Sequence, residues 1–268
     1  LFTKRSLKPI LKFEIKNMTT QQQSANLIKP LRYSSDGLHT FHNCDFIKQS
    51  RFQQAYQFGL INARPGISIE WRVHVALWAA NQCSSLEGDF IECGVHTGIL
   101  PGAVMTWLDF EKYPNKKYYL LDTFQGIPLE QISESELSIG VAQMNRKYPT
   151  GDKTYLDVKD KFKKWKNCNI IRGKVPDTLS QVNSEKFSYV SIDMNVTSAE
   201  IAAAEFLWPK MVPGAIMLLD DYGWEAHIHQ KIAFDEFALK HGIQILSLPT
   251  GQAILMKPII FEHEMTKS

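Results

Sequence analysis

From about residue 67 onward, short apolar runs alternate with segments whose apolar positions return every three or four residues. The runs DFIECGV (89–95), KYYLLD (117–122), CNIIRG (168–173), FSYVSID (187–193) and GAIMLLD (214–220) predict buried strands. The segments 68–86, 98–113, 155–167, 198–211 and 229–242 predict helices between them. In the first helix Ser68 is placed as N-cap, and Trp71, Val75, Trp78 and Ala79 form the apolar stripe. Pro101 fits only the first turn of the second helix, and Gly242 ends the last one. QILSLP and QAILMK, joined around PTG, predict a hairpin at the end of the sheet.

Apolar strands alternating five times with helices predict an α/β fold: a mostly parallel sheet, helices on both faces, right-handed crossovers. One connection is too long for a plain loop. About 30 residues separate Asp122 from the helix near Tyr155, and their apolar content predicts a lid with some helix over about 124–153. SESEL reads as a helix start within it, with Glu134 or Glu136 facing solvent.

The expected division is a weakly ordered arm over 1–40, one domain over 41–262 with the lid inserted, and a tail over 263–268. The chain begins at Leu1, and Met18 opens a soluble-looking stretch, so 1–17 read equally as upstream translation or as part of a longer chain. That basic, half-apolar start lacks the uninterrupted apolar core of a signal peptide.

Composition narrows the class. With 268 residues, 44% hydrophobic, the chain is long enough for one sizeable core. Its 30 basic and 28 acidic residues balance too evenly for a general nucleic-acid surface. No apolar run approaches the ~20 residues of a membrane span. Cys44, Cys83, Cys93 and Cys168 have no zinc or CxxC spacing and read as small buried thiols in a reducing cytoplasm. The lysines 159, 161, 163, 164 and 166 read as a solvated helix face.

Candidate chemistry gathers at the carboxyl ends of the strands, where open parallel sheets bind ligands. Glu92 runs into the turn GVHTG, whose Gly94 and Gly98 let a ligand approach the backbone. His96 sits in that turn, and Asp122 ends the next strand, placed to accept hydrogen bonds from ribose hydroxyls. Together these suggest an adenosine-containing ligand; a structural turn with an exposed acid is the alternative. Asp220 and Asp221 lack a sequence-local cation, and Asp193 ends the neighbouring strand. An all-oxygen trio suits Mg²⁺ or a similar hard ion. The alternative is that Asp221 caps the next turn while Asp220 salt-bridges a distant basic residue.

GDFIECGVHTG, YYLLDTFQGIP, VSIDMNV, VPGAIMLLDDYGW and FDEFALKHGIQILSLPTGQAILMKP occur in that order. The ensemble resembles the macrocin O-methyltransferase family of class I S-adenosylmethionine-dependent methyltransferases, over about residues 45–258. The resemblance implies a Rossmann-like, seven-stranded sheet with a reversed C-terminal hairpin. It implies S-adenosylmethionine at Glu92, Gly94, His96, Thr97, Gly98, Asp122, Thr123 and Asp193, and Mg²⁺ at Asp193, Asp220 and Asp221. The implied acceptor is a small molecule or glycan with vicinal hydroxyls, with no nucleic acid or membrane span involved. Self-association into a homo-oligomer, the N-terminal segment reaching a neighbour, is also implied.

The chain departs from the family at Asn195, where an acid considered a general base is common. An amide accepts no proton at neutral pH. Asp193, Asn195, Asp221 and His229 are the candidate catalytic residues, with His227 beside them and Tyr222 a candidate wall of the acceptor pocket. Two further readings stay open: a methyltransferase-like binding protein that has lost its base, and a catechol-type O-methyltransferase. A nicotinamide oxidoreductase is disfavoured because GxGxxG is missing.

Overall fold

The computed structural model describes residues 30–146 and 150–259. The expectations for residues 1–29 and for the tail 263–268 lie outside the described residues. Residues 33–40, the end of the expected arm, form a hairpin of β1 (Tyr33–Ser35) and β2 (Leu38–Thr40).

The helices α1 (Ser50–Gly59) and α2 (Glu70–Cys83) precede β3 (Asp89–Cys93), α3 (Ile99–Leu108) and β4 (Tyr118–Asp122). The long connection holds the short helix α4 (Glu134–Ser138) between two 3-10 turns, Leu129–Gln131 and Val141–Arg146. Then follow α5 (Asp152–Phe162), β5 (Cys168–Arg172), β6 (Phe187–Ile192), α6 (Thr197–Leu207), β7 (Met211–Leu219) and α7 (Ile228–His241). The hairpin β8 (Leu246–Ser247) and β9 (Ala253–Met256) closes the sheet.

The main sheet has seven strands in the order β5-β4-β3-β6-β7-β9-β8. The first five are mutually parallel, and β9 runs against both β7 and β8. This is the Rossmann-like sheet with the reversed C-terminal hairpin that the sequence predicts. Side chains alternate between the faces. Phe90, Tyr118, Leu120, Tyr189 and Leu218 pack with α1, α2, α3 and α5, while Ile91, Tyr119, Leu121, Val190 and Leu219 pack with α6 and α7. Both faces are covered, which is why the strands read as continuous apolar runs.

Some local expectations fail for definite reasons. Trp78 is 47% exposed. Of the expected stripe Ala79 is buried, together with Val73, Ala76, Leu77, Ala80 and Cys83, whose mostly small side chains let the helix lie close to the sheet. Ser68 does not cap α2; Ile69 takes that position, and the Ser68 hydroxyl donates to Glu70 at 2.8 Å. Lys161 leaves the solvated face of its helix, because Thr154, Val158, Lys161 and Phe162 share the buried one. Of the two acids of SESEL, Glu134 faces solvent as expected and Glu136 is buried: it completes a capping box with Ser133 at the start of α4.

Candidate active site

The carboxyl ends of β3, β4, β6 and β7 border a cavity of about 420 Å³, a size that accommodates a small-molecule ligand. It lies at the switch point of the sheet, where β3 feeds a crossover to one side and β6 to the other.

Gly94 leaves β3 at φ +92°, and a Cβ there would collide with the Asp193 carbonyl oxygen. The sequence suggests ligand approach as the reason for this glycine. Its demonstrable task is to let the ends of β3 and β6 touch, which puts the glycine turn beside Asp193. Gly98 is likewise required by packing, since its missing Cβ faces the Phe162 ring at 2.6 Å. Asp122 Oδ2 accepts the backbone N–H groups of Val95 and His96, both at 2.7 Å, and Oδ1 accepts that of Phe124 at 2.5 Å. The carboxylate thus fixes the turn that starts α3. From behind, the Lys161 ammonium donates to the carbonyls of Thr97 and Gly98, at 3.0 and 2.9 Å, and to those of Gly59 and Ile61.

Gly94, His96, Asp122, Thr123 and Asp193 line the cavity. Glu92, Thr97 and Gly98 do not. Glu92 is buried in the sheet, accepts from the Tyr118 hydroxyl at 3.2 Å, and burial holds its carboxyl well above the ordinary range. The Thr97 hydroxyl is buried without a hydrogen-bond partner. These three residues are thus set back from the cavity.

Carboxylate oxygens of Asp193, Asp220 and Asp221 lie within 4.8 Å of one another. Burial, then the charges of Asp220 and Asp221, hold the Asp193 carboxyl well above its usual range. Asp221 is raised by burial and by Asp220. Behind them Glu200, pushed up to about 8 by burial with Asp221 adding to it, accepts the N–H groups of Met194 and Asn195 at 3.0 and 2.9 Å. Asn195 sits at φ +60° and donates its amide to Asp193 Oδ1 at 3.1 Å. It orients a carboxylate and cannot serve as a base.

Sequence reasoning missed Arg72. Its guanidinium reaches from α2 to Asp220, and to Asp221 at 3.4 Å. Its other edge is held by Asp36 of the β1–β2 hairpin, Nε to Oδ2 at 2.7 Å and Nη2 to Oδ1 at 3.3 Å. The Trp224 ring lies 5.1 Å from it. Gln252, from the last hairpin, donates to Asp220 Oδ1 at 2.9 Å. The alternative of a distant basic partner for Asp220 is therefore met, by a residue 148 positions away. A local signal did exist: period two puts Asp220 on the face of β7 that α2 covers.

The trio nonetheless fits a hard divalent ion. Its donors are all oxygen, it faces the cavity, and one arginine serves Asp36 as well as Asp220 and Asp221. Three carboxylates thus share one guanidinium.

The histidines separate. His227 lines the cavity, with Nε2 3.6 Å from Asp221 Oδ2, whereas His229, in the first turn of α7, does not line it. Tyr222 is also turned away, its hydroxyl donating to Asp235 at 2.5 Å.

A model of the macrocin-O-methyltransferase (TylF) family matches residues 74–246. Among solved structures, the O-methyltransferase NovP superposes with a TM-score of 0.62 at 18% identity, over 70% of this chain and 80% of that one. The calicheamicin methyltransferase CalS11 gives 0.58 at 15% identity, over 81% and 94% of the two chains. The SAH-bound methyltransferase PaMTH1 of Podospora anserina gives 0.50 at 14% identity, over 94% and 100%. At these identities the likeness is one of fold. No curated protein matches the chain in sequence.

Proposed function

Since the chain belongs to the macrocin O-methyltransferase family and is an O-methyltransferase, we propose that it carries a methyl group from S-adenosylmethionine to a sugar hydroxyl and needs Mg²⁺ or a similar ion to do so. The observation that carries this reading is the convergence of Asp193, Asp220 and Asp221 beside the Gly94 turn, in one cavity. The O-methyltransferase NovP and the calicheamicin methyltransferase CalS11 support the methyl-transfer side of it only as relatives in fold.

In the reaction the C–S bond of the sulfonium breaks, a C–O bond forms, and the hydroxyl proton leaves. The glycine turn, Asp122 and Thr123 bind the donor. Asp193, Asp220 and Asp221 would hold the divalent ion, which would lower the pKa of a hydroxyl that has a vicinal oxygen. His227, whose Nε2 lies 3.6 Å from Asp221 Oδ2, takes the proton in place of the acid that Asn195 replaces. Much of the remaining acceleration comes from holding both reactants in one cavity. The connection 124–153 acts as a lid: Phe124, Ile127, Pro128, Gln131, Met144 and Asn145 already wall the cavity.

One observation favours a second reading. Arg72 already binds Asp220 and Asp221, so transfer without any metal, to a catechol or other acidic hydroxyl, is the competing mechanism. An acceptor panel of glycosides and catechols, incubated with labelled S-adenosylmethionine with and without Mg²⁺, separates the two. Mg²⁺-dependent labelling of glycosides is expected. Labelling of catechols alone contradicts the proposal, and donor binding without labelling of any acceptor would leave a binding protein.

A further inference from the structure

Arg72 is a fixed cation inside a cluster built from acids. Its side chain is 14% exposed and is gripped from two directions. Asp36 takes the Nε–Nη2 edge, which leaves Nη1 as the atom directed at Asp220 and Asp221. Trp224 covers the guanidinium, and Gly37, next to Asp36, packs against the Trp224 ring. The hairpin, the loop after β7 and α2 thus converge on one charged group.

Two opposite consequences follow from electrostatics. A positive charge within hydrogen-bond distance of two carboxylates organises them in the absence of an ion. The same charge repels a divalent cation arriving at those carboxylates. Asp36 decides the balance. While it holds the far edge of the guanidinium, Arg72 engages Asp220 and Asp221 through one nitrogen, Nη1. A released Arg72 would be free to pair with the acids through its full fork.

We propose that Arg72 and Asp36 together set the affinity of the acid trio for a divalent cation, Arg72 lowering it and Asp36 restoring part of it by restraining Arg72. The inference rests on the divalent-cation reading of the site. It makes Arg72 a positioning residue whose charge would keep the ion weakly held in the acceptor-free protein.

The test is Mn²⁺ binding to the acceptor-free protein, followed by electron paramagnetic resonance and calorimetry, in the wild type and in Arg72→Gln, Arg72→Lys and Asp36→Asn. Arg72→Gln is expected to tighten Mn²⁺ binding about tenfold or more, since one repulsive charge is gone. Arg72→Lys keeps the charge and should return affinity toward wild type. Asp36→Asn should weaken binding severalfold. A merely structural role would weaken binding in all three. If the wild type binds Mn²⁺ and Arg72→Gln binds it no tighter, the inference is overturned and the metal reading stands. If neither the wild type nor Arg72→Gln binds Mn²⁺, the metal reading fails and takes the inference with it. Asp36→Asn, on the surface hairpin, stays decisive even should Arg72→Gln fail to fold: unchanged or tighter binding contradicts the proposal.

Discussion

Glu136 and Thr197 join the long connection to the loop that carries Asn195. One carboxylate oxygen of Glu136 accepts both the N–H and the hydroxyl of Thr197, at 2.8 and 2.6 Å, across 61 residues of sequence. The other oxygen accepts from the N–H and hydroxyl of Ser133, at 2.9 and 2.7 Å. Burial works against the charge of Glu136, yet these hydrogen bonds hold its carboxyl below the ordinary range. The short helix of the proposed lid is therefore tied to the start of α6, two residues from Asn195.

Glu136→Gln puts an NH2 group where two donors already point. Hydrogen bonds to a charged group contribute roughly 1.5–3 kcal/mol, so the tie should loosen without unfolding the domain. Faster amide exchange over 129–146 and a severalfold higher KM for the acceptor are expected, with donor affinity little changed. Exchange unaltered over those residues would show that the lid is held elsewhere.

Gly94→Ala places a methyl group on the Asp193 carbonyl in a left-handed backbone conformation. The strain in φ alone costs about 1–2 kcal/mol, and the clash with backbone adds to it. Urea denaturation should therefore show a loss of at least about 2 kcal/mol. The folded fraction should bind both donor and cation less well, because the turn and Asp193 move apart together. Wild-type stability in this variant would mean that the close approach of β3 and β6 is not required.

Lys161 gives stability a pH dependence of known sign. Burial pushes its ammonium down to about 7, with the Glu92 charge opposing. In the unfolded chain a lysine keeps its proton to about pH 10.4. Between pH 7 and that value the unfolded state binds more protons, so this residue makes stability rise with pH across the window. Below pH 7 both states are protonated and the contribution is constant. The stability difference between wild type and Lys161→Met, measured in urea from pH 6.5 to 9.5, should move in favour of the wild type as pH rises. A flat difference would mean that the four carbonyls around Nζ keep the ammonium charged throughout.

The strands were legible because a sheet covered on both faces needs apolar residues at every position, as in Ile216–Leu219. Asp193, Asp220 and Asp221 were legible because they break such runs at the carboxyl ends of neighbouring strands. Arg72, Asp36 and Gln252 were not, since each reaches Asp220 or its partner from a distant element, and the period of β7 tells only that Asp220 faces α2, not which residue meets it. Lys161 lay in between: its spacing from Val158 and Phe162 matches the buried face of α5, but the surrounding lysines concealed it. Trp78 misleads for the converse reason. Bulk suggests burial, whereas α2 packs through alanines and leaves this tryptophan outside. The role of Gly94 required the register of β3 against β6, which sequence alone does not contain.

Whether Asp193, Asp220 and Asp221 hold a divalent ion that methyl transfer requires comes down to one rate. It is that of methyl transfer to an accepted glycoside after exhaustive chelation, then during titration with Mg²⁺, in wild type and Asp221→Ala. Transfer should be lost on chelation and recover along a saturating Mg²⁺ curve. Asp221→Ala should show a hundredfold or greater deficit, roughly what removing one electrostatic contact to a transition state costs. Transfer at an undiminished rate in chelator, by wild type and variant alike, would contradict the metal assignment and leave Arg72 as the only cation those carboxylates need.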